Sequence, residues 1–309
     1  AKERHRSAAA CGWLRWGTAV ALVALVAWAG GAEGAVSAAT RAALLDLWEE
    51  SDGESWQYRA GTEPFNRTNA GTWGPDEGDP CEEQWWGVFC DPSNTTVEIL
   101  YPNSRFSGNP LRGTLPASFG DIAGLKQAYL SNDRTPSRLV GSVPESIGQL
   151  RDLRCFYLAH NAMNGSLPAS LATLTNLQGL FLRLNRFSGT IPDLSALTDM
   201  RHLNIDFNRF EGGVDWVSEM KYLHTLQLRV NRFTGTLPEL TCYVHHCNAW
   251  DNDWTCPLPT NATTGADCCR AYVCSNATAT PELEEPMRPL DAPFFYYEDP
   301  PTAYLCNAP

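Results

Sequence analysis

The sequence predicts an α/β repeat solenoid with short parallel strands, and two observations carry this prediction. The segment from Leu153 to Pro168 recurs from Leu177 to Pro192, with an offset of 24 residues at each matching leucine, asparagine, glycine and proline position. Further copies can be aligned on the first apolar residue of each unit, at Val97, Leu125, Leu153, Leu177, Met200 and Leu223. Self-similarity at this period is typical of arrays in which each unit buries its apolar face against its neighbours.

Residues 1–35 are predicted to be a secretory signal peptide. Basic residues precede an apolar run from Gly17 to Ala29, and small residues follow through Ala38. The run is shorter than the roughly 20 apolar residues that a membrane-spanning helix needs. We therefore expect a secreted protein, with membrane attachment only if the signal is retained as an anchor.

Two further features agree with an oxidising, extracellular location. Of the 11 cysteines, one lies in the predicted signal, which leaves an even number for disulfides in the mature chain. Five Asn-x-Ser/Thr sequons predict a glycoprotein. They are at Asn66, Asn94, Asn164, Asn261 and Asn276.

Residues 36–96 are expected to form an N-terminal cap. Leu44, Leu47 and Trp48 have helical spacing, and a glycine- and proline-rich connection leads to the run from Asp79 to Asp91. The most economical cysteine pairing in this region is Cys81 with Cys90. A solenoid needs such a cap because its first repeat would otherwise expose the core to water.

Residues 97–240 are expected to hold about six repeats. In each unit an L-x-x-L-x-L segment is a short strand whose leucines point inward and whose intervening residues point outward. Asparagines follow where the chain must turn, and their amides can bond the backbone groups that the turn leaves free. The two longer units carry insertions, Ser104–Pro110 and Asn132–Arg138, which should protrude as loops.

Residues 241–275 are predicted to be a cysteine-rich C-terminal cap, and residues 276–309 an acidic tail rich in proline and aromatic residues. Six cysteines of the cap allow 15 pairings, and the sequence does not choose among them. They are Cys242, Cys247, Cys256, Cys268, Cys269 and Cys274. The tail composition indicates an extended segment and no separate domain.

Residues 41 to about 275 resemble extracellular leucine-rich-repeat proteins of the plant-specific class, which also occur in algae and protists. The resemblance rests on the repeat L-x-x-L-x-L-x-x-N-x-F-x-G-x-x-P from Leu177 to Pro192 and on the cap run ALLDLW…DPC…WWGVFC. It implies a right-handed superhelix with parallel strands on the concave face and disulfide-stapled caps. Relatives of this class serve as receptor ectodomains, secreted inhibitors or wall components.

The outward strand positions predict a ligand-binding concave face that is basic and aromatic, although the whole chain has a net charge of −12. Aromatic rings beside basic groups suit a sugar ring or an acidic peptide. The alternative is that these side chains only pack sideways on one another. The candidate residues are Tyr101, Lys126, Tyr129, Arg154, Tyr157, Phe181, Arg183, Arg201, His224 and Arg229.

Cys155 occupies an outward position, which is unusual for a residue type that prefers burial. With the cap cysteines paired among themselves, Cys155 and Cys306 remain. The two could join and fold the tail along the concave face. Alternatively, Cys306 forms a bridge to another molecule.

No catalytic, metal or cofactor site is predicted. His245 and His246 lie between Cys242 and Cys247, but their spacing fits no standard zinc set. The acidic balance argues against nucleic acid as a partner. We therefore expect a secreted, non-catalytic glycoprotein that binds an extracellular protein or an acidic polysaccharide. The alternatives are a wall or filament component that self-assembles through its tail, and the ectodomain of a truncated receptor.

Overall fold

The computed structural model describes residues 35–56, 73–74, 77–102, 111–132, 138–238, 244, 246–249 and 251–255. In this part of the chain, thirteen short strands form two sheets. In chain order they are β1 (Val88–Cys90), β2 (Val97–Leu100), β3 (Gln127–Tyr129), β4 (Cys155–Tyr157), β5 (Asn164–Gly165), β6 (Gly179–Phe181), β7 (Arg186–Thr190), β8 (His202–Asn204), β9 (Arg209–Gly212), β10 (Thr225–Gln227), β11 (Arg232–Gly235), β12 (His246–Asn248) and β13 (Asp253–Trp254).

The larger sheet has the order β1-β2-β3-β4-β6-β8-β10-β12, and the smaller has the order β5-β7-β9-β11-β13. All pairs from β2 onward are parallel and in register, whereas β1 pairs with β2 antiparallel. From β4 onward, each successive turn of the chain thus adds one strand to each sheet. The predicted repeat solenoid with parallel strands is confirmed.

Short 3-10 helices return the chain between successive strands of the larger sheet. Those in the array are Ala117–Asp121, Glu145–Gln149, Ala169–Thr173 and Asp215–Glu219, and a further one, Gly53–Ser55, lies in the cap. Three of the four in the array begin directly after a proline, whose fixed φ suits that position. Val214 stands there in the fourth, with a different backbone conformation.

The N-terminal cap is built on α1 (Ala38–Glu50) and on the buried rings of Trp56, Trp73 and Trp85, which contact one another in sequence. Ser37 caps the helix by accepting a hydrogen bond from the Thr40 amide at 3.0 Å, which satisfies one of the free N–H groups of its first turn. The Thr40 hydroxyl then donates to the carbonyl of Asp121 at 3.1 Å, joining α1 to the first repeat. The predicted Cys81–Cys90 disulfide is confirmed.

The core is a single continuous cluster that runs the length of the array. Each turn adds inward leucines from the strand and one large side chain from the glycine-containing segment that follows. Four of these large side chains stack in sequence, with ring centroids about 6 Å apart: Phe187, Phe210, Phe233 and Trp254. Burying this column is a major part of what joins one turn to the next.

The asparagine at the end of each strand links two successive turns, and all of these asparagines except Asn252, which is half-buried, are buried. In Asn185, Oδ1 accepts from the Met163 amide at 3.0 Å, while Nδ2 donates to the Leu158 carbonyl at 2.9 Å and to its own turn's Leu182 at 3.0 Å. Five residues repeat this arrangement and form what we call the asparagine ladder: Asn161, Asn185, Asn208, Asn231 and Asn252.

Asn132 belongs with this ladder and does not lie in a protruding loop. Its side chain is completely buried, and its Nδ2 donates to the Leu111 carbonyl at 3.2 Å and to Asn161 Oδ1 at 2.7 Å. The insertion in this unit therefore starts after Asn132, and residues 133–137 lie outside the described residues.

The residue before each ladder asparagine has a positive φ, between 53° and 59°, although none is glycine. The five residues are His160, Leu184, Phe207, Val230 and Asp251. A side chain in this left-handed region costs roughly 1 kcal/mol or more. The turn that brings each asparagine inward therefore carries local backbone strain, which the ladder hydrogen bonds offset.

The repeats extend past residue 240, into the range assigned to the cysteine-rich cap. Strand β12 pairs with β10, β13 pairs with β11, and Asn252 completes the ladder. The unit begins at the buried Val244, and Cys247 occupies the position that leucine, phenylalanine or alanine fills in the units before it.

Candidate concave binding face

A continuous column of six rings crosses the outward side of the larger sheet. Its members are Tyr101, Tyr129, Tyr157, Phe181, His202 and His224, which we call the ring column. Each parallel strand places the same position beside that of its neighbour, about 4.8 Å away, which is the spacing at which aromatic rings stack. In-register pairing therefore produces the column from Tyr101 to Phe181.

The central rings stack face to face. The centroids of Tyr129 and Tyr157 are 4.5 Å apart with 14° between their planes, and those of Tyr157 and Phe181 are 4.2 Å apart with 3° between them. Tyr101 meets Tyr129 at 67°, an edge contact. The rings pack sideways on one another, and both faces of Tyr157 are covered by neighbouring rings.

Burial within the stack raises the pKa of both Tyr129 and Tyr157 above the ordinary tyrosine value. Their hydroxyls therefore stay protonated and can both donate and accept hydrogen bonds. Tyr129 donates to Gln127 Oε1 at 2.7 Å. The column thus offers a ligand ring edges and hydroxyl groups.

His202 joins the column although the sequence prediction omitted it. It comes from the outward position two residues before the one that supplies the tyrosines, and its ring lies 6.3 Å from that of Phe181. Strand positions two residues apart lie on one face. The period of two would have identified His202 as an outward residue, although the ring contact itself requires the coordinates.

A row of basic side chains runs beside the column at the position before each strand. Lys126 forms an ion pair with Glu98, so this end of the row is neutralised. Arg154 and Arg201 continue the row, and His224 ends it, its Nδ1 donating to the Tyr222 carbonyl at 2.6 Å. None of these last three side chains lacks a partner.

A buried ion pair lies at the other edge of the column. Arg229 Nε donates to Asp206 Oδ2 at 2.7 Å and its backbone amide donates to Asp206 Oδ1 at 2.9 Å. The guanidinium carbons of Arg183 and Arg229 lie 5.6 and 5.1 Å from the Phe207 ring centroid. Because Arg229 is only 9% exposed, it organises this edge and offers little surface to a ligand.

Burial raises the pKa of Asp206 to about 6, and the charges of Arg229 and Arg183 oppose this rise. A carboxyl that is completely buried loses its hydration, and two hydrogen bonds from Arg229 restore only part of it. This edge therefore changes charge near pH 6.

The remaining predicted residues divide between the described part of the chain and the rest. Asn94 and Asn164 are exposed, as glycosylation would require. Cys155 and Cys247 each form a disulfide. The others lie outside the described residues: Asn66, Asn261, Asn276, Cys242, Cys256, Cys268, Cys269, Cys274, Cys306, His245, the predicted signal up to residue 34 and the tail.

The described residues hold neither a metal-binding cluster nor a membrane-spanning helix. No group of three or more His, Cys, Asp or Glu side chains there is arranged to hold a metal ion. Among the same residues, no helix has the length and apolar character needed to cross a bilayer.

Comparison with solved structures identifies the fold. The ectodomain of the Arabidopsis thaliana receptor kinase GASSHO1/SCHENGEN3, in complex with CASPARIAN STRIP INTEGRITY FACTOR 2, matches with a TM-score of 0.53 and 24% identity over 70% of this chain and 24% of that one. The PEPR1–AtPEP1 structure matches with a TM-score of 0.55 and 20% identity over 74% of this chain and 33% of that one. This chain thus spans a third or less of the length of either structure. No family model and no curated protein matches it.

Proposed function

We propose that this protein, which has the leucine-rich-repeat fold of plant receptor ectodomains, is a secreted, non-catalytic glycoprotein that binds a partner through its concave face. The observation that carries the proposal is the ring column flanked by Arg154 and Arg201. A rigid sheet presenting aligned aromatic and basic groups is a surface suited to recognition.

The packing of the rings favours a protein segment over a polysaccharide. A sugar binds an aromatic residue by stacking on a ring face, but the faces of Tyr157 are covered by Tyr129 and Phe181. Ring edges carry partial positive charge, which attracts carbonyl and carboxylate oxygens. Arginines nearby bind carboxylates through charge-assisted hydrogen bonds. The face therefore suits an extended, acidic segment of an extracellular protein.

The length of the column sets the length of that segment. Five steps between six rings, at about 4.8 Å each, span about 24 Å. An extended peptide advances about 3.3 Å per residue, so about seven residues would cover the column. The two matching structures are described as complexes with CASPARIAN STRIP INTEGRITY FACTOR 2 and AtPEP1, which agrees with a protein partner for this fold.

An array of acidic peptides about seven residues long, printed beside an array of plant and algal glycans, would test the proposal. The full secreted chain is compared with a variant carrying Tyr129→Ala, Tyr157→Ala and Arg154→Ala. We expect peptide binding by the wild-type chain and at least a tenfold loss in the variant, because both ring edges and the guanidinium are removed.

A matched control carries alanine at three polar or aromatic residues away from the column, Arg151, Asn176 and Tyr222, all exposed. This control should bind as the wild-type chain does. Equal binding by the triple concave variant, with circular dichroism unchanged, would refute the proposal. Binding to glycans and not to peptides would refute the part of the proposal that assigns a protein partner.

A further inference from the structure

Four arginines occupy the same position along the outward side of the smaller sheet. Each stands directly before the large apolar side chain that its turn contributes to the core, as Arg186 stands before the buried Phe187. Neighbouring side chains of extended backbone point to opposite sides, so these arginines point away from the core. They are Arg138, Arg186, Arg209 and Arg232, which we call the arginine row.

The protein does not neutralise the exposed part of this row. Arg186, Arg209 and Arg232 are exposed, and none of them forms an ion pair within the described residues. The strands place two carboxylates on the same side, Glu211 and Asp253, and neither is paired with an arginine of the row. Since the whole chain has a net charge of −12, the row is a local reversal of sign.

The row has a gap at Ala162, where the corresponding side chain is a single methyl group. Arg138 and Arg186 lie on either side of it, two strand spacings or about 10 Å apart. Arg138 Nε is buried and has no hydrogen-bond partner among the described residues. Burial lowers the pKa of Arg138, and the charge of Arg186 lowers it further. An anion in the gap would supply the missing acceptor and separate the two like charges.

We propose that the arginine row binds a linear anionic polysaccharide, with one acidic group in the gap at Ala162 and others along the exposed arginines. The row advances by about 4.8 Å per turn and extends about 19 Å from Arg138 to Arg232. A polysaccharide of uronic acids carries one carboxylate on each sugar, and a sugar unit has about the length of one strand spacing. Side chains on one side of an extended peptide repeat at about 6.6 Å, which does not match the row.

The guanidinium group suits this ligand because it binds an oxyanion through two parallel, charge-assisted hydrogen bonds. The row is also separate from the ring column. The column lies on the larger sheet, whereas the row lies past the asparagine turn, along the smaller sheet. The inference therefore does not rest on the proposed function, and a polysaccharide on the row leaves the concave face open to a peptide.

Affinity electrophoresis of the full secreted chain tests the row. The gels contain polygalacturonate, which carries carboxylates, or dextran sulfate, which carries sulfates, and neutral dextran is the reference. We expect at least one anionic polymer to retard the wild-type chain, and the polymer that does so identifies the acidic group. Combined Arg186→Gln, Arg209→Gln and Arg232→Gln should weaken this binding at least tenfold, because three guanidinium contacts are lost. No retardation by either anionic polymer would overturn the proposal.

A matched control carries glutamine at three other exposed cations, Arg112, Arg151 and Lys221. It loses the same charge and should bind the polymer as the wild-type chain does. Equal weakening in this control and in the row variant, with circular dichroism unchanged, would show that only net charge acts and would overturn the proposal. The triple concave variant described above should also keep wild-type binding, which distinguishes this site from the proposed peptide site.

Substitution of Ala162 tests the gap. Ala162→Glu places a carboxylate between Arg138 and Arg186, where it competes with the acidic group of the polysaccharide, and should weaken binding at least fivefold. Ala162→Gln has nearly the same shape without the charge and should weaken it far less. Equal binding by the two variants would show that no acidic group of the polymer occupies the gap.

Discussion

Asn208 Nδ2 donates to the carbonyl oxygen of Leu182 at 3.0 Å, although 26 residues separate them in the chain. The same amide accepts from the Phe187 N–H at 3.1 Å and donates to Ile205 in its own turn at 3.1 Å. One side chain thus satisfies backbone groups of two adjacent turns at a place that water does not reach.

Replacing Asn208 by alanine should lower the free energy of unfolding by about 2–3 kcal/mol, because it leaves the buried Phe187 N–H without a partner and removes one of the two side-chain donors to the Leu182 carbonyl. Urea denaturation followed by circular dichroism measures the change. The control is Asn176→Ala, which removes an exposed amide that donates to the Arg151 carbonyl. Equal effects of the two variants would contradict a structural role for the ladder.

Phe210→Ala should destabilise the protein by about 3–5 kcal/mol, the usual cost of emptying a buried phenylalanine site. Phe210 is 0% exposed and stacks on Phe187 and Phe233. Tyr222→Ala, at a side chain that is 58% exposed, should change stability by no more than about 0.5 kcal/mol. Thermal unfolding of both variants measures the two changes in stability. A small loss of stability for Phe210→Ala would mean that neighbouring side chains move to fill the cavity.

Val230→Asn should raise stability by about 0.5–1 kcal/mol. Val230 has a φ of 55°, where a branched side chain is strained and asparagine is tolerated. Val140→Asn is the comparison, since Val140 is 42% exposed but has no positive φ. If Val140→Asn gave the same gain in chemical denaturation, polarity and not backbone strain would be the cause.

The stability of the wild-type chain relative to Asp206→Asn should fall as the pH rises from about 4 to about 6. An unfolded aspartate has a pKa of about 3.9, and that of folded Asp206 is raised to about 6. Between these values the folded state binds more protons than the unfolded state, so raising the pH favours unfolding. The slope should approach about 1.4 kcal/mol per pH unit and vanish above pH 7.

Urea denaturation of the wild-type chain and of Asp206→Asn at pH 4, 5, 6 and 7 gives the difference between their free energies of unfolding. Asp193→Asn is a suitable control, since this exposed carboxyl accepts the Ser195 N–H, which lowers its pKa, and should show no fall across the same range. If the stability difference between the wild-type chain and Asp206→Asn did not change with pH, the charge of Arg229 would compensate for the burial of the carboxylate.

The repeat pattern was sufficient to predict the larger sheet, most of its outward residues and the hydrogen bonds from the asparagine amides to the backbone of the turn. Leu177, Leu180 and Leu182 alternate in the way that a strand buried on one side requires, and Asn185 follows at a fixed distance. These features depend on local periodicity, which a sequence displays directly.

Other features depend on contacts that periodicity does not contain. The seventh turn was obscured because Cys247 and Ala249 replace the larger apolar residues, while the neighbouring cysteines indicated a cap. Asn132 joins the ladder one residue earlier in its unit than the other asparagines. Whether Tyr157 offers a ring face or only its edge depends on the tilt of Phe181 beside it, which no spacing fixes.

The asparagine ladder also has a mechanical consequence. Each amide joins one turn only to the adjacent turn, and the strands pair only with their immediate neighbours. A pulling force applied at one end of the array would act on one interface between turns at a time. The turns would therefore unfold one after another, starting from that end.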